Sequence, residues 1–145
     1  MSTKEQSSRR EEGMQLARAA VSAASERKDY DMVLLDVSGK CSYTDFILIV
    51  AVESDRQVDA VADRIRRACV EVGGHALGVE GVGSGGWVLI DFGDLVVHTF
   101  REDAKSFYDI EGLWSDAARV DLDGFKAPLD DSRPRSSSDQ LAVTD

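Results

Sequence analysis

Seven consecutive apolar residues, Phe46-Ile47-Leu48-Ile49-Val50-Ala51-Val52, constrain this chain more than any other feature. The run is rich in β-formers and shows no polar alternation, so it predicts a strand buried on both faces. The next segment predicts a helix. Ser54-Asp55-Arg56-Gln57 has capping-box form: the serine hydroxyl can accept from the amide three residues on, and the glutamine can reach back. Val58, Val61, Ala62, Ile65, Ala68, Cys69 and Val72 then fall on one stripe, with Asp59, Asp63, Arg66, Arg67 and Glu71 facing away. Gly73-Gly74 supplies a left-handed stop. A further strand over about Ala76 to Glu80 completes a βαβ unit, expected to be right-handed.

The rest of the chain fills out an α/β fold. Met14, Leu16, Ala17, Ala20, Val21 and Ala24 recur at helical spacing, which predicts an amphipathic helix from Gly13 to Lys28 after a disordered start over residues 1–12. Met32 to Val37 reads as a strand ending in the turn Ser38-Gly39-Lys40. Trp87 to Phe92 and Leu95 to Phe100 read as a hairpin joined through Gly93, its two-residue loop being either Phe92-Gly93 or Gly93-Asp94. Alternation places Val88, Ile90, Phe92, Leu95, Val97 and Thr99 on one face, which should be core. Trp87, Leu89, Asp91, Asp94, Val96, His98 and Phe100 fall on the other, an amphipathic mixture suited to an interface centre or to a cover of helices. Phe107, Ile110 and Trp114 can share one face of short helical turns, leaving Tyr108 turned elsewhere. From about Arg119 the periodicity stops, and Pro128, Pro134 and Ser136-Ser137-Ser138 suggest a disordered tail. The expected organisation is therefore one domain over residues 13–117, with a tail over 118–145. Its fold class is α/β: a mixed β-sheet of about five strands flanked by helices.

Charge and motifs narrow the function. The chain carries a net charge of -10, and the segment Tyr30 to Asp116 holds seven basic and sixteen acidic residues, a net -9. Nucleic-acid affinity rests on lysines and arginines displacing counterions. An acidic middle therefore suits a basic partner protein better than DNA. Cys41 and Cys69 lack metal-ligand spacing and read as reduced thiols of a cytoplasmic protein. No run of residues is apolar for long enough to span a bilayer. The loop Gly83-Ser84-Gly85-Gly86 resembles a phosphate cradle, but a strand comes after it where such a site needs a helix N-terminus. Asp91 and Asp94 could serve a metal-dependent nucleotidyltransferase only if they converged, and they lie three apart across a turn. His75 and His98 form no ligand pattern. The residues assign no catalytic group, no metal and no cofactor.

Three segments then carry a resemblance. The first is Thr44-Asp45-Phe46-Ile47-Leu48-Ile49 with Ser54-Asp55-Arg56-Gln57-Val58 and Ala60-Val61-Ala62-Asp63. The second is Glu80-Gly81 with Gly86-Trp87-Val88-Leu89-Ile90-Asp91-Phe92-Gly93-Asp94-Leu95-Val96-Val97-His98. The third is Phe107-Tyr108-Asp109-Ile110-Glu111-Gly112-Leu113-Trp114-Ser115-Asp116-Ala117. In order and spacing these resemble the Iojap/ribosomal silencing factor family, over about Gly13 to Ala117. Val52-Glu53 departs from it where the family often has a glycine before the serine. The resemblance implies a nucleotidyltransferase-like fold without the active site. It also implies binding to the L-fourteen protein of the large ribosomal subunit, a block on subunit joining, and repression of translation under nutrient limitation or in stationary phase. Homodimers are implied for the free protein. Trp87 and Tyr108 match the family's partner-contacting aromatics, and Asp91, Asp94 and His98 lie in or beside the same motif.

Overall fold

The computed structural model describes residues 3–28, 30–83, 86–103 and 112–126. In chain order its elements are α1 (Thr3–Ser25), β1 (Asp31–Asp36), β2 (Phe46–Val52), α2 (Asp55–Glu71), β3 (Gly78–Glu80), β4 (Trp87–Asp91), β5 (Leu95–Arg101) and β6 (Ala118–Arg119). The strands form one mixed sheet in the order β3-β4-β5-β2-β1-β6. Only β2 and β5 pair in parallel, in the register Phe46 opposite Leu95 through Val52 opposite Arg101. The other four pairings are antiparallel. The β2-α2-β3 crossover thus joins two like-directed strands with β5 and β4 lying between them.

β2 is central, and every one of its seven residues is buried. Its even-numbered side chains Phe46, Leu48, Val50 and Val52 meet α1 and α2 in the larger core, with Leu16, Ala17, Ala20 and Val21 from α1 and Val58, Val61, Ile65 and Cys69 from α2. Its odd-numbered side chains Ile47 and Ile49 belong to a second cluster on the opposite face, with Leu35, Val37, Phe100 and Ala117. Trp114 packs against that cluster. Alternation about a two-faced strand is what separates the two cores.

α2 starts and stops by the means its sequence carries. The Ser54 hydroxyl accepts from the Gln57 N–H at 3.3 Å, and Gln57 Oε1 accepts from the Glu53 N–H at 3.0 Å, one residue ahead of the cap. At the other end Gly73, with φ 96°, donates to Val70 O at 3.0 Å, and Gly74 donates to Cys69 O at 2.8 Å. This is a Schellman stop, which needs the left-handed conformation at Gly73. Gly74 also lies where a Cβ would sit 2.5 Å from Leu16, so the turn runs close against α1. The Cys69 thiol donates to Leu16 O at 3.5 Å, and burial pushes its pKa up to about 12. It is a packed thiol rather than a reactive one.

Four expectations need correction. The first helix begins at Thr3, not Gly13. Residues 4–12 hold helix-forming Lys, Glu, Gln and Arg with no apolar residue, so periodicity is silent there. Arg10 ties the early turns down through a 2.6 Å ion pair with Asp36 and by lying over the Phe46 ring. Second, the sheet has six strands, because the two-residue β6 pairs with Leu35 and Asp36. Third, the folded unit continues past residue 117. The Val120 N–H donates to Leu34 O, and Val120, Leu122 and Phe125 pack on the larger core with Arg18 over the Phe125 ring. Single apolar residues at irregular intervals do this without any period to betray it. Fourth, the third strand begins at Gly78 rather than Ala76.

Thr99 lies on the helix-facing side of β5, fully buried, and its Oγ1 finds no hydrogen-bond partner among the described residues. A buried hydroxyl without a partner costs stability. Thr99→Val, which keeps the shape and removes the hydroxyl, is expected to stabilise the fold by about 1 kcal/mol. Urea unfolding of the two proteins side by side would show the midpoint rise.

Candidate functional site

The hairpin of β4 and β5 presents two unlike faces. Its register pairs Trp87 with Phe100, Leu89 with His98 and Asp91 with Val96. The Phe92 N–H donates to Leu95 O at 2.9 Å, so the two-residue loop is Gly93-Asp94. Gly93 carries the positive φ of 89° that such a turn demands. Val88, Ile90, Phe92, Leu95 and Val97 face the helices and are buried. The opposite face continues in register into β3, where Glu80 pairs with Leu89. On this face one row of side chains therefore runs from Ile49 through His98 and Leu89 to Glu80, and another from Ala51 through Phe100 to Trp87, from the buried centre of the sheet to an open end at Trp87, Leu89 and Glu80.

Trp87 is the centre of the open end. It is 40% exposed, which for so large an apolar side chain is unusual on a strand. It is also held. Its ring lies 5.0 Å from that of Phe100 and 5.8 Å from that of His98, which in turn stacks on Phe100 at 5.8 Å. The indole Nε1–H donates to His98 Nδ1 at 3.2 Å. That bond requires a lone pair on Nδ1, so the imidazole is neutral with its proton on Nε2. Burial agrees, pushing the His98 pKa down to about 4. His98 is only 8% exposed and so lies beneath the surface as the support of Trp87.

Beside Trp87 is a shallow hollow of about 260 Å³ lined by Glu80, Gly81, Trp87 and Leu89. Gly81 makes the approach of the two strands possible. Its φ is 91°, and a Cβ there would stand 2.1 Å from Trp87 O. No side chain fits at that point, and the sequence signal for it is the Glu80-Gly81 pair ahead of the glycine-rich loop.

The two aspartates part company. Asp91 lies on the open face, half-buried, and its Oδ1 accepts from the Gly93 N–H at 2.8 Å, so it shapes the turn. Alternation predicts Asp94 on the same face; instead it occupies the turn, outside the pleat, and lies with Glu12, Gln15, His75, Leu77 and Phe92 in another hollow towards α1. Burial raises its pKa above the ordinary carboxylate value, with repulsion from Asp45 and Glu12 adding to it and Arg9 opposing. Asp91 and Asp94 therefore do not form the convergent pair that a two-metal centre needs. Among the described residues no three His, Cys, Asp or Glu side chains group as metal ligands. Tyr108, Phe107 and Ile110 lie outside the described residues. Tyr43, 62% exposed in the loop between β1 and β2, is a surface aromatic that sequence periodicity could not single out.

A partly exposed but well-packed tryptophan, apolar neighbours and acidic side chains have the composition of an interface centre. Residues 10–144 match the family described as "Ribosomal silencing factor during starvation", beyond the end of the resemblance at Ala117. The chain is 38% identical to the ribosomal silencing factor RsfS of Halalkalibacterium halodurans over 110 residues, 76% of this chain and 94% of that one. It is 38% identical to RsfS of Bacillus subtilis over 108 residues, 74% and 92% of the two chains. A crystal structure of a Bacillus halodurans protein, 36% identical, superimposes with a TM-score of 0.67 over 75% of this chain and 99% of its own. On sequence and fold together, the chain belongs to the ribosomal silencing factor family.

Proposed function

We propose that this protein silences ribosomes by docking on the L-fourteen protein of the large subunit through the open end of its sheet. Occupying that surface keeps the small subunit from joining and represses translation when nutrients run short or growth enters stationary phase. The protein acts as a binding module in the cytoplasm, not as an enzyme, and pairs with a second copy when free. The observation that carries the reading is Trp87: 40% exposed, yet fixed by Phe100 and by its bond to His98. A preorganised aromatic loses little entropy on binding, which is the property of an interface anchor. The net -9 of the segment from Tyr30 to Asp116 favours a basic partner. Tyr108, Asp91 and His98 complete the proposed set, as second anchor, turn-former and support. Asp94 would contribute charge from the hairpin tip.

Co-sedimentation with purified large subunits tests this directly. Wild-type protein is expected to bind one per large subunit at moderate salt and to lower the yield of joined ribosomes when small subunits are added afterwards. Binding should weaken as salt rises, because charge steers the encounter. Failure of the wild-type protein to pellet with large subunits at moderate salt would refute the reading.

A further inference from the structure

The hollow beside Trp87 has a more particular chemistry than an apolar patch. Two walls are apolar, the indole of Trp87 and the side chain of Leu89. Gly81 also lines it, its backbone lying so close to Trp87 O that no side chain could stand there. Among the described residues the hollow's other wall is Glu80, on the sheet's end strand β3. Glu80 is exposed, and among the described residues it makes no ion pair. Several carboxylates are matched, Asp36 with Arg10, Glu53 with Lys28, Asp55 with Arg101 and Asp63 with Arg66 and Arg67, and among the described residues others such as Asp91 and Asp94 are not; Glu80 is distinguished by lining this hollow. One unmatched carboxylate at the mouth of an aromatic and aliphatic hollow is complementary to a side chain with an apolar stem and a cationic head. The face of an indole also attracts a cation.

We infer that this hollow receives one lysine or arginine side chain of the docking partner, its stem lying along Leu89 and Trp87 and its charged head on Glu80. The inference rests on the docking reading above and adds to it the chemistry of one contact. It explains why the exposed tryptophan stands next to an unpaired acid rather than a polar neutral residue. It also makes Glu80 a specificity residue: a neutral or acidic side chain at the partner's position would leave the carboxylate unmatched.

The test is a salt series of binding to purified large subunits by wild type, Glu80→Gln and Glu80→Arg. Both variants change an exposed side chain on an end strand, and their folding is checked by circular dichroism and melting temperature. Glu80→Gln is expected to bind roughly 3- to 10-fold more weakly at low salt, with a flatter salt dependence, and Glu80→Arg more weakly still. If wild type binds and Glu80→Gln binds as well or better with the same salt dependence, an apolar or aromatic group fills the hollow and the inference is overturned, while the docking reading stands. If wild type does not bind, both fall together.

Discussion

Trp87→Ala is expected to weaken binding to the large subunit by about 2–4 kcal/mol, roughly 30- to 700-fold in affinity. The size reflects how the residue is held. With 40% of its surface exposed, the indole offers a large apolar area to a partner. Phe100 at 5.0 Å and the bond to His98 Nδ1 at 3.2 Å have already restricted its rotation. Truncation removes the anchor and uncovers Phe100, so the partner would meet a pit instead of a ring. The fold should survive, since the core residues of the hairpin, Val88, Ile90, Leu95 and Val97, lie on the other face. Trp87→Phe separates the components. It keeps a ring over Phe100 but leaves His98 Nδ1 without its donor, and intermediate affinity is expected. A folded Trp87→Ala protein that binds within about threefold of wild type would show that the anchor lies elsewhere.

Much of this surface was legible in the sequence, for a definite reason. Side chains on a strand alternate with period two, and the two possible hairpin registers differ by two residues. Trp87, Leu89, Asp91 and His98 therefore share a face in either register, and the structure places them so. The same argument fails for Asp94. It is a loop residue in the register the structure adopts, and alternation says nothing about a side chain outside the pleat. Carboxylate roles were equally hidden. Nothing in the spacing of Asp91 and Gly93 distinguishes an acid that accepts from a turn amide from one free to meet a partner. Glu80 acquires meaning only through the pairing of β3 with β4, a contact set by topology rather than by local pattern. The dry central strand and the capped helix were legible because each carries its own signal, an unbroken apolar run and a serine with glutamine three residues on. α1's early turns and β6 carry no such signal, and tertiary contacts to Asp36, Phe46 and Leu35 hold them.

His98 is expected to make the protein sensitive to mild acid. In the unfolded chain an imidazole takes its proton near the ordinary value of 6.5; in the folded protein burial holds His98 at about 4. Between those values the unfolded state binds the extra proton, so stability falls as pH falls. The contribution is complete above about 6.5, is lost progressively towards about 4, and changes no further below that. A depression of this size corresponds to about 3 kcal/mol in all, of which about 2–3 is lost between pH 7 and pH 4.5. Asp94 works in the opposite sense. Its pKa is raised in the folded protein, so protonation there favours the fold as pH drops through the carboxylate range. Asp36, lowered chiefly by its bond with Arg10, loses stability there. His98→Phe isolates the histidine, because the ring can still stack on Phe100 while the titrating group is gone. Urea unfolding near pH 7 and near pH 4.5 should show wild type losing about 2–3 kcal/mol more than the variant. Equal losses, or a folded-state imidazole titrating near 6.5 by NMR, would contradict the assignment. The same protonation reaches the docking face. A proton on Nδ1 would turn the acceptor of the Trp87 N–H into a competing donor, so the anchor should loosen over the pH range in which folded His98 titrates. Near neutral pH the imidazole stays neutral, and the tryptophan stays fixed for its partner.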